Sequence, residues 1–122
     1  GAHVGSFSTF GDTGYLFSEF VRGTKSLSLE AAVKKITLDP ATIWGIKGRG
    51  LLAPGFAADV VVFDAEHIGR GPEIASDDFP GDGVRWIRRQ EGIDTVVVNG
   101  EVTWSAADGY VAGARAGQIA TR

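Results

Sequence analysis

The chain contains no cysteine, which excludes a disulfide scaffold, thiolate metal sites and thiol nucleophiles. It leaves the compartment open, with a reducing, cytoplasmic one as the default expectation. No apolar run approaches the ~20 residues that a membrane helix needs, and no signal-peptide pattern opens the chain. A basic excess is missing too: 12 basic against 15 acidic side chains give a net charge of -3. That balance argues against a nucleic-acid or anionic-membrane partner. There is no methionine, even at position 1, so the native start is expected to lie elsewhere or to have been removed, and the chain to be one domain's worth of polypeptide or a piece of something larger. Histidine occurs only twice, as His3 and His67. A catalytic zinc needs about three protein ligands, and no His-x-His or His-Glu-x-x-His spacing is present. No Gly-x-Ser-x-Gly elbow offers a serine nucleophile.

What the chain does have is 43% hydrophobic residues, enough to fold, and 18 glycines in 122 residues, roughly twice the usual ~7%. Residues 1–12 fit no period and read as a loop. Tyr15, Leu16, Phe20 and Val21 share one face of a helix over 13–22, with Asp12 or Thr13 as cap and Gly23 as stop. A second helix starts at Ser28 as N-cap, with Glu30 suiting the dipole. Its apolar stripe is Leu29, Ala32, Val33 and Ile36. Asp39-Pro40 reads as cap and first residue of a short third helix that Gly45 ends. Gly48, Gly50, Pro54 and Gly55 punctuate a turn-rich stretch.

Strands follow. Val60-Val61-Val62-Phe63, bracketed by Asp59 and Asp64, suggests a strand buried on both faces. Residues 69–83 read as a long loop, and Val84–Arg89 as a short strand. Asn99-Gly100 between Thr95–Val98 and Glu101–Trp104 is the preferred two-residue hairpin turn. The tail from Ser105 is Ala- and Gly-rich and expected at the surface. Helices first and antiparallel strands after make an α+β chain.

Few of these residues carry chemistry alone. Gly-Arg-Gly at 48–50 and 69–71 reads as plain turns, since neither opens a helix after a strand. Asp59 and Asp64 are expected to accept hydrogen bonds at the strand ends rather than to act as an acid/base pair. Arg85, Arg88 and Arg89 read as a solvated face balanced by the acidic residues 77, 78 and 82. His3 is either a terminal residue or a site residue on a glycine-flanked loop.

Several stretches together resemble one family. Gly1-Ala2-His3-Val4 is similar to the end of a Ser-Asp-x-Gly-Ala-His segment. Leu27–Val33 followed by Thr37–Ala41 resembles the helix pair that comes next. Arg49–Gly55 and then Ala58–Asp64 are similar to a Gly, x, Pro-Gly, x, Ala-Asp, apolar, Asp signature. Val97–Val102 and the closing glycines 109, 113 and 117 complete it. The chain thus resembles the C-terminal end of metal-dependent amidohydrolases of the N-acyl-D-amino-acid deacylase (D-aminoacylase) branch, over nearly its whole length.

The resemblance implies a parent enzyme with a metal-bearing (β/α)8 barrel and a small β-sandwich built from both ends of the polypeptide. It implies residues 1–47 as the last barrel loop and helices, and 48–122 as the C-terminal share of the sandwich plus tail. It implies hydrolysis of the amide bond of N-acyl (D-)amino acids. Zinc would polarise the carbonyl and a bound water, and an aspartate after the last barrel strand would move the proton. That aspartate and the metal ligands belong upstream of Gly1. Zinc is therefore expected in the parent and none in this chain, with no catalytic residue or metal ligand here and no activity from the isolated chain. His3, Phe7 and Phe10 are the expected substrate-lining residues, on a loop at the C-terminal end of a barrel strand. Some relatives carry a His-Pro-Arg clamp for the substrate carboxylate. This chain reads Gly5-Ser6-Phe7-Ser8-Thr9-Phe10 there and lacks it. The expected partners are a small amide substrate and the missing N-terminal part of the same enzyme, with self-association of the isolated piece. The alternative is a non-catalytic β-rich accessory or interaction module.

Overall fold

A computed structural model describes residues 12–120. Helices occupy the first third and antiparallel strands the rest, which is the α+β order expected. Helix α1 (Asp12–Tyr15) runs directly into a π-helical segment, Leu16–Gly23. The wider winding is visible at its end, where Thr24 N–H donates to Glu19 O at 2.7 Å, an i→i−5 bond. The widened turn corrects the stripe read at a 3.6 period. Phe17 is the residue buried, at 2% exposure, whereas Tyr15 and Phe20 stand 38% and 40% exposed.

Helix α2 (Leu29–Ile36) begins as expected. Ser28 is extended, and its Oγ accepts the Ala31 N–H at 3.2 Å. Helix α3 (Leu38–Trp44) starts before Asp39, with Thr37 as its N-cap residue. Asp39 is instead an ion-pair partner of Lys34 at 2.6 Å. Gly45 ends α3 in the left-handed region, at φ 69°.

Residues 45–59 hold no regular element. Strand β1 (Val60–Phe63) then pairs antiparallel with β4 (Ile93–Val98), which pairs with β5 (Glu101–Ser105), which pairs with β6 (Gly109–Tyr110). The sheet order β1-β4-β5-β6 leaves β1 as an edge. It is not buried on both faces as its apolar run suggested: Val61 and Val62 are about half exposed.

Residues 69–83 also differ from the sequence expectation. They are not a loop but strand β2 (Gly69–Phe79) and the turn into β3 (Gly83–Glu91), a two-stranded ribbon. Its register pairs Ile74 with Ile87, Ala75 with Trp86 and Glu73 with Arg88. Arg85 and Asp78 form a two-bonded ion pair at 2.6 and 2.5 Å. Cross-strand pairs of this kind supply what local hydrophobicity does not. Gly69-Arg70-Gly71 is therefore strand rather than turn. Gly71 is needed for close approach, since a Cβ there would lie 2.7 Å from Arg89 O.

The core lies where the π-helical segment and α2 meet the ends of the sheet. Phe17, Ala32 and Ile68 are its buried centre, with Leu16, Val33, Phe63 and Ile93 packed around them. The Phe17 and Phe63 rings sit 5.3 Å apart. The tail past β6 is mostly exposed, as read from its composition.

Candidate functional site

Residues His3, Phe7 and Phe10, expected to line a substrate pocket, lie outside the described residues. The other histidine, His67, sits on the turn after β1, where Asp64 folds the chain back. Asp64 O accepts the Ile68 N–H at 2.8 Å, and its carboxylate accepts the Glu66 N–H at 2.9 Å. The His67 ring Nδ1 lies 2.6 Å from Asp64 Oδ2, with the histidine side chain 78% exposed. The Asp64 carboxyl is held below the usual carboxylate range, first by His67 and then by the Glu66 N–H. This is a turn organised around a carboxylate.

Among the described residues no three or more His, Asp or Glu side chains gather to hold a metal ion. The donor set a catalytic zinc requires is therefore not met there. Nor do Asp59 and Asp64 form an acid/base pair. They stand at opposite ends of β1, each engaged with its own partners. No helix among the described residues is long and apolar enough to cross a membrane.

Asp59 belongs to a clasp whose extent local sequence did not reveal. Its Oδ1 accepts the Asn99 N–H at 2.8 Å, and its Oδ2 pairs with the Arg49 guanidinium. Arg49 Nη2 reaches on to Asn99 Oδ1 at 3.0 Å. Asn99 Nδ2 in turn donates to Ala116 O at 2.5 Å. Four separate stretches meet here: the glycine-rich turn, the entry to β1, the β4–β5 turn and the tail. The Asn99 N–H bond is the main reason the Asp59 carboxyl is held below its ordinary range, with Arg49 adding to it and burial opposing. The sequence signal was Arg49 between two glycines, ten residues before a strand-entry aspartate. It reads locally as a turn because its partners are distant in sequence. A second unforeseen contact stacks the Arg70 guanidinium 4.5 Å over the Tyr15 ring, with Asp12 3.2 Å from Arg70 Nη1.

Between α2, the loop after α3 and the β1–β4 side of the sheet lies an open apolar groove of about 910 Å³. Phe17, Val33, Leu51, Val60, Phe63 and Ile93 are among the residues that line it. Among the described residues charge enters only through Glu30, Lys34 and Asp59. Glu30 is held low by its own N–H and by the Ser28 side chain, as at a capped helix start. Such a surface can bury apolar side chains, but among the described residues it brings together no nucleophile and no proton-transfer pair.

Comparison with known proteins gives this geometry a context. A family model described as "Amidohydrolase family" matches residues 2–104. The chain is similar to a dihydroorotase of Lactobacillus johnsonii, 45% identical over 69 residues, which is 57% of this chain and 16% of that protein. Among solved structures it is similar to a D-aminoacylase with a binuclear metal centre, at a TM-score of 0.67 and 31% identity, covering 90% of this chain and 21% of that one. It is also similar to an N-acyl-D-glutamate deacylase from Bordetella bronchiseptica, complexed with zinc and a phosphonate mimic of the tetrahedral intermediate. There the TM-score is 0.57 at 34% identity, covering 80% of this chain and 19% of that one. The chain thus spans about a fifth of the length of the proteins it matches.

Proposed function

We propose, because the chain belongs to the amidohydrolase family, that it is the C-terminal share of a metal-dependent enzyme cleaving the carbon–nitrogen bond of N-acyl D-amino acids. The observation that carries this reading is the likeness of 90% of the chain to D-aminoacylase, at a TM-score of 0.67 with 31% identity. In this reading residues 1–47 supply the last barrel loop and its helices, and 48–122 the C-terminal part of a β-sandwich and the tail. His3, Phe7 and Phe10 line the substrate pocket. Zinc, as in the deacylase complex, is held in this reading by residues outside this chain. The location is cytoplasmic.

The apolar groove takes a role here as the surface on which the rest of the enzyme packs. The isolated chain is then inactive and self-associates through that surface and the open β1 edge. Light scattering of a clean monomer at high concentration would contradict this.

A second reading, a dihydroorotase-like substrate, is favoured by the 45% identity over 69 residues. The test is to clone the gene containing this segment and assay its whole product on N-acetyl-D-glutamate, N-acetyl-D-aspartate and dihydroorotate, before and after chelation. Deacylation lost on chelation and restored by zinc is the expected result. Turnover of dihydroorotate alone moves the assignment to the second reading. A gene with no barrel upstream, or turnover of none of the three substrates, leaves the accessory-module reading. Zinc-dependent turnover by the 122-residue chain itself would overturn its predicted inactivity.

A further inference from the structure

Asn99 and Gly100 form the β4–β5 turn with φ of 47° and 85°. Asparagine is a thermolabile residue, and a following glycine exposes it most. With no Cβ on the neighbour, the next backbone nitrogen meets little hindrance in attacking the side-chain carboxamide. In this fold the reacting groups are all engaged elsewhere. The carboxamide oxygen accepts from Arg49 Nη2 at 3.0 Å, and its nitrogen donates to Ala116 O at 2.5 Å. The Gly100 N–H, whose nitrogen would attack, donates to Ala58 O at 2.9 Å. Attack needs the two atoms within about 3–3.5 Å and aligned, and a 1 Å misplacement costs about 100-fold.

We propose that Asn99–Gly100 is a covalent modification site, a deamidation site held silent by the Arg49–Asp59 clasp, and that its conversion releases the tail. In the reaction the Gly100 nitrogen bonds to the Asn99 side-chain carbonyl carbon and loses its proton. The bond to Nδ2 breaks, and that nitrogen leaves with the proton as ammonia. Water then opens the five-membered imide at either carbonyl, giving aspartate or isoaspartate. Both products break the link between the clasp and the tail. A carboxylate at position 99 replaces the donor to Ala116 O with an acceptor, so two acceptors face each other at the tail. It also adds a second negative charge beside Asp59. Isoaspartate lengthens the backbone of a two-residue turn whose geometry fixes the β4–β5 register.

The test incubates the full chain in mildly alkaline buffer at physiological temperature. The peptide spanning the turn is followed for a gain of one mass unit and for isoaspartate. Four samples are compared: native wild type, wild type unfolded in urea, Arg49→Ala and Arg49→Lys. The lysine variant keeps the charge beside Asp59 but cannot reach two acceptors in Arg's fork geometry, so it serves where the alanine variant fails to fold. The native chain is expected to convert at least about tenfold more slowly than the unfolded one, and a folded Arg49 variant several-fold faster than native wild type. Native conversion within about twofold of the unfolded rate overturns the protection. Folded variants converting at the native rate overturn the role of the clasp. Asn99→Asp should also speed proteolytic cleavage after Arg115, and an unchanged rate there overturns the release of the tail.

Discussion

Replacing Asp59 by alanine removes the acceptor for the Asn99 N–H and the partner of the Arg49 guanidinium in one step. A hydrogen bond to a charged group contributes about 1.5–3 kcal/mol. The lower end applies here, because the Asp59 side chain is 32% exposed and water can replace part of the bond. The ion pair adds about 0.5–1 kcal/mol, since Arg49 and Asp59 are both partly screened. The expected loss is therefore about 2–2.5 kcal/mol. With a urea slope of about 2 kcal/mol/M for a chain of this size, the midpoint falls by about 1 M. Asp59→Asn should recover roughly half of that, about 1 kcal/mol, by keeping an acceptor for Asn99 while losing the charge. The pH dependence fixes the sign. The folded Asp59 carboxyl is held below its ordinary value, so the unfolded chain binds the extra proton first as pH falls. The stabilisation is then fully present above the unfolded pKa of about 3.9 and is lost as pH drops through the folded value. Wild type and Asp59→Ala should differ by a constant amount from neutral pH down to about pH 5 and converge below about pH 4. A midpoint shift under about 0.2 M, or a gap that widens in acid, would refute the reasoning.

Gly92→Ala tests a close approach at the β3–β4 junction. Gly92 has φ +75°, and an added Cβ would lie 2.5 Å from both the N and the Cα of Ile68. Left-handed backbone and clash together should cost at least about 3 kcal/mol in urea unfolding. Gly81→Ala, at φ +73° with nothing within 4 Å, should cost only about 1 kcal/mol; equal losses would show that the contact does not matter. Ile68→Ala empties the centre of the small core, where Ile68 is 2% exposed. It should destabilise by about 2–4 kcal/mol in a thermal melt, and a loss under about 1 kcal/mol would show that the site collapses freely. Ser28→Ala should cost about 1 kcal/mol and speed hydrogen exchange at the Ala31 amide, its partner; unchanged exchange there counts against the cap.

Elements defined by local chemistry were legible in the sequence. Ser28 capping α2, Gly45 closing α3 and Asn99-Gly100 turning β4 into β5 each rest on residues within a few positions of one another. Elements defined by distant partners were not. Strand β2 carries Pro72, Glu73, Asp77 and Asp78 and resembles a loop, until Arg85 and Arg88 on β3 pair its acids. Its turn could have been read from Pro80-Gly81-Asp82-Gly83, where Gly81 and Asp82 take φ of 73° and 56°. The π-helical segment gave no signal of its own. Its winding shows in which phenylalanine is buried, not in the spacing of apolar residues.

The same division explains the site. Arg49 and Asn99 are 50 residues apart, and nothing near either one announces the other. An edge strand of Val-Val-Val-Phe reads from sequence as fully buried, because apolar runs signal burial without saying what does the burying. Among the described residues only Phe17, Ala32, Ala41 and Ile68 are buried hydrophobics, while Leu51, Leu52, Val61 and Val62 stand exposed. Three of those four exposed residues line the groove. The sequence thus carries the hydrophobicity of a more fully covered domain than these residues alone build. On the proposed reading, the surplus is the imprint of the remainder of the enzyme. On that same reading, part of the covering that the apolar run of β1 calls for lies outside these residues.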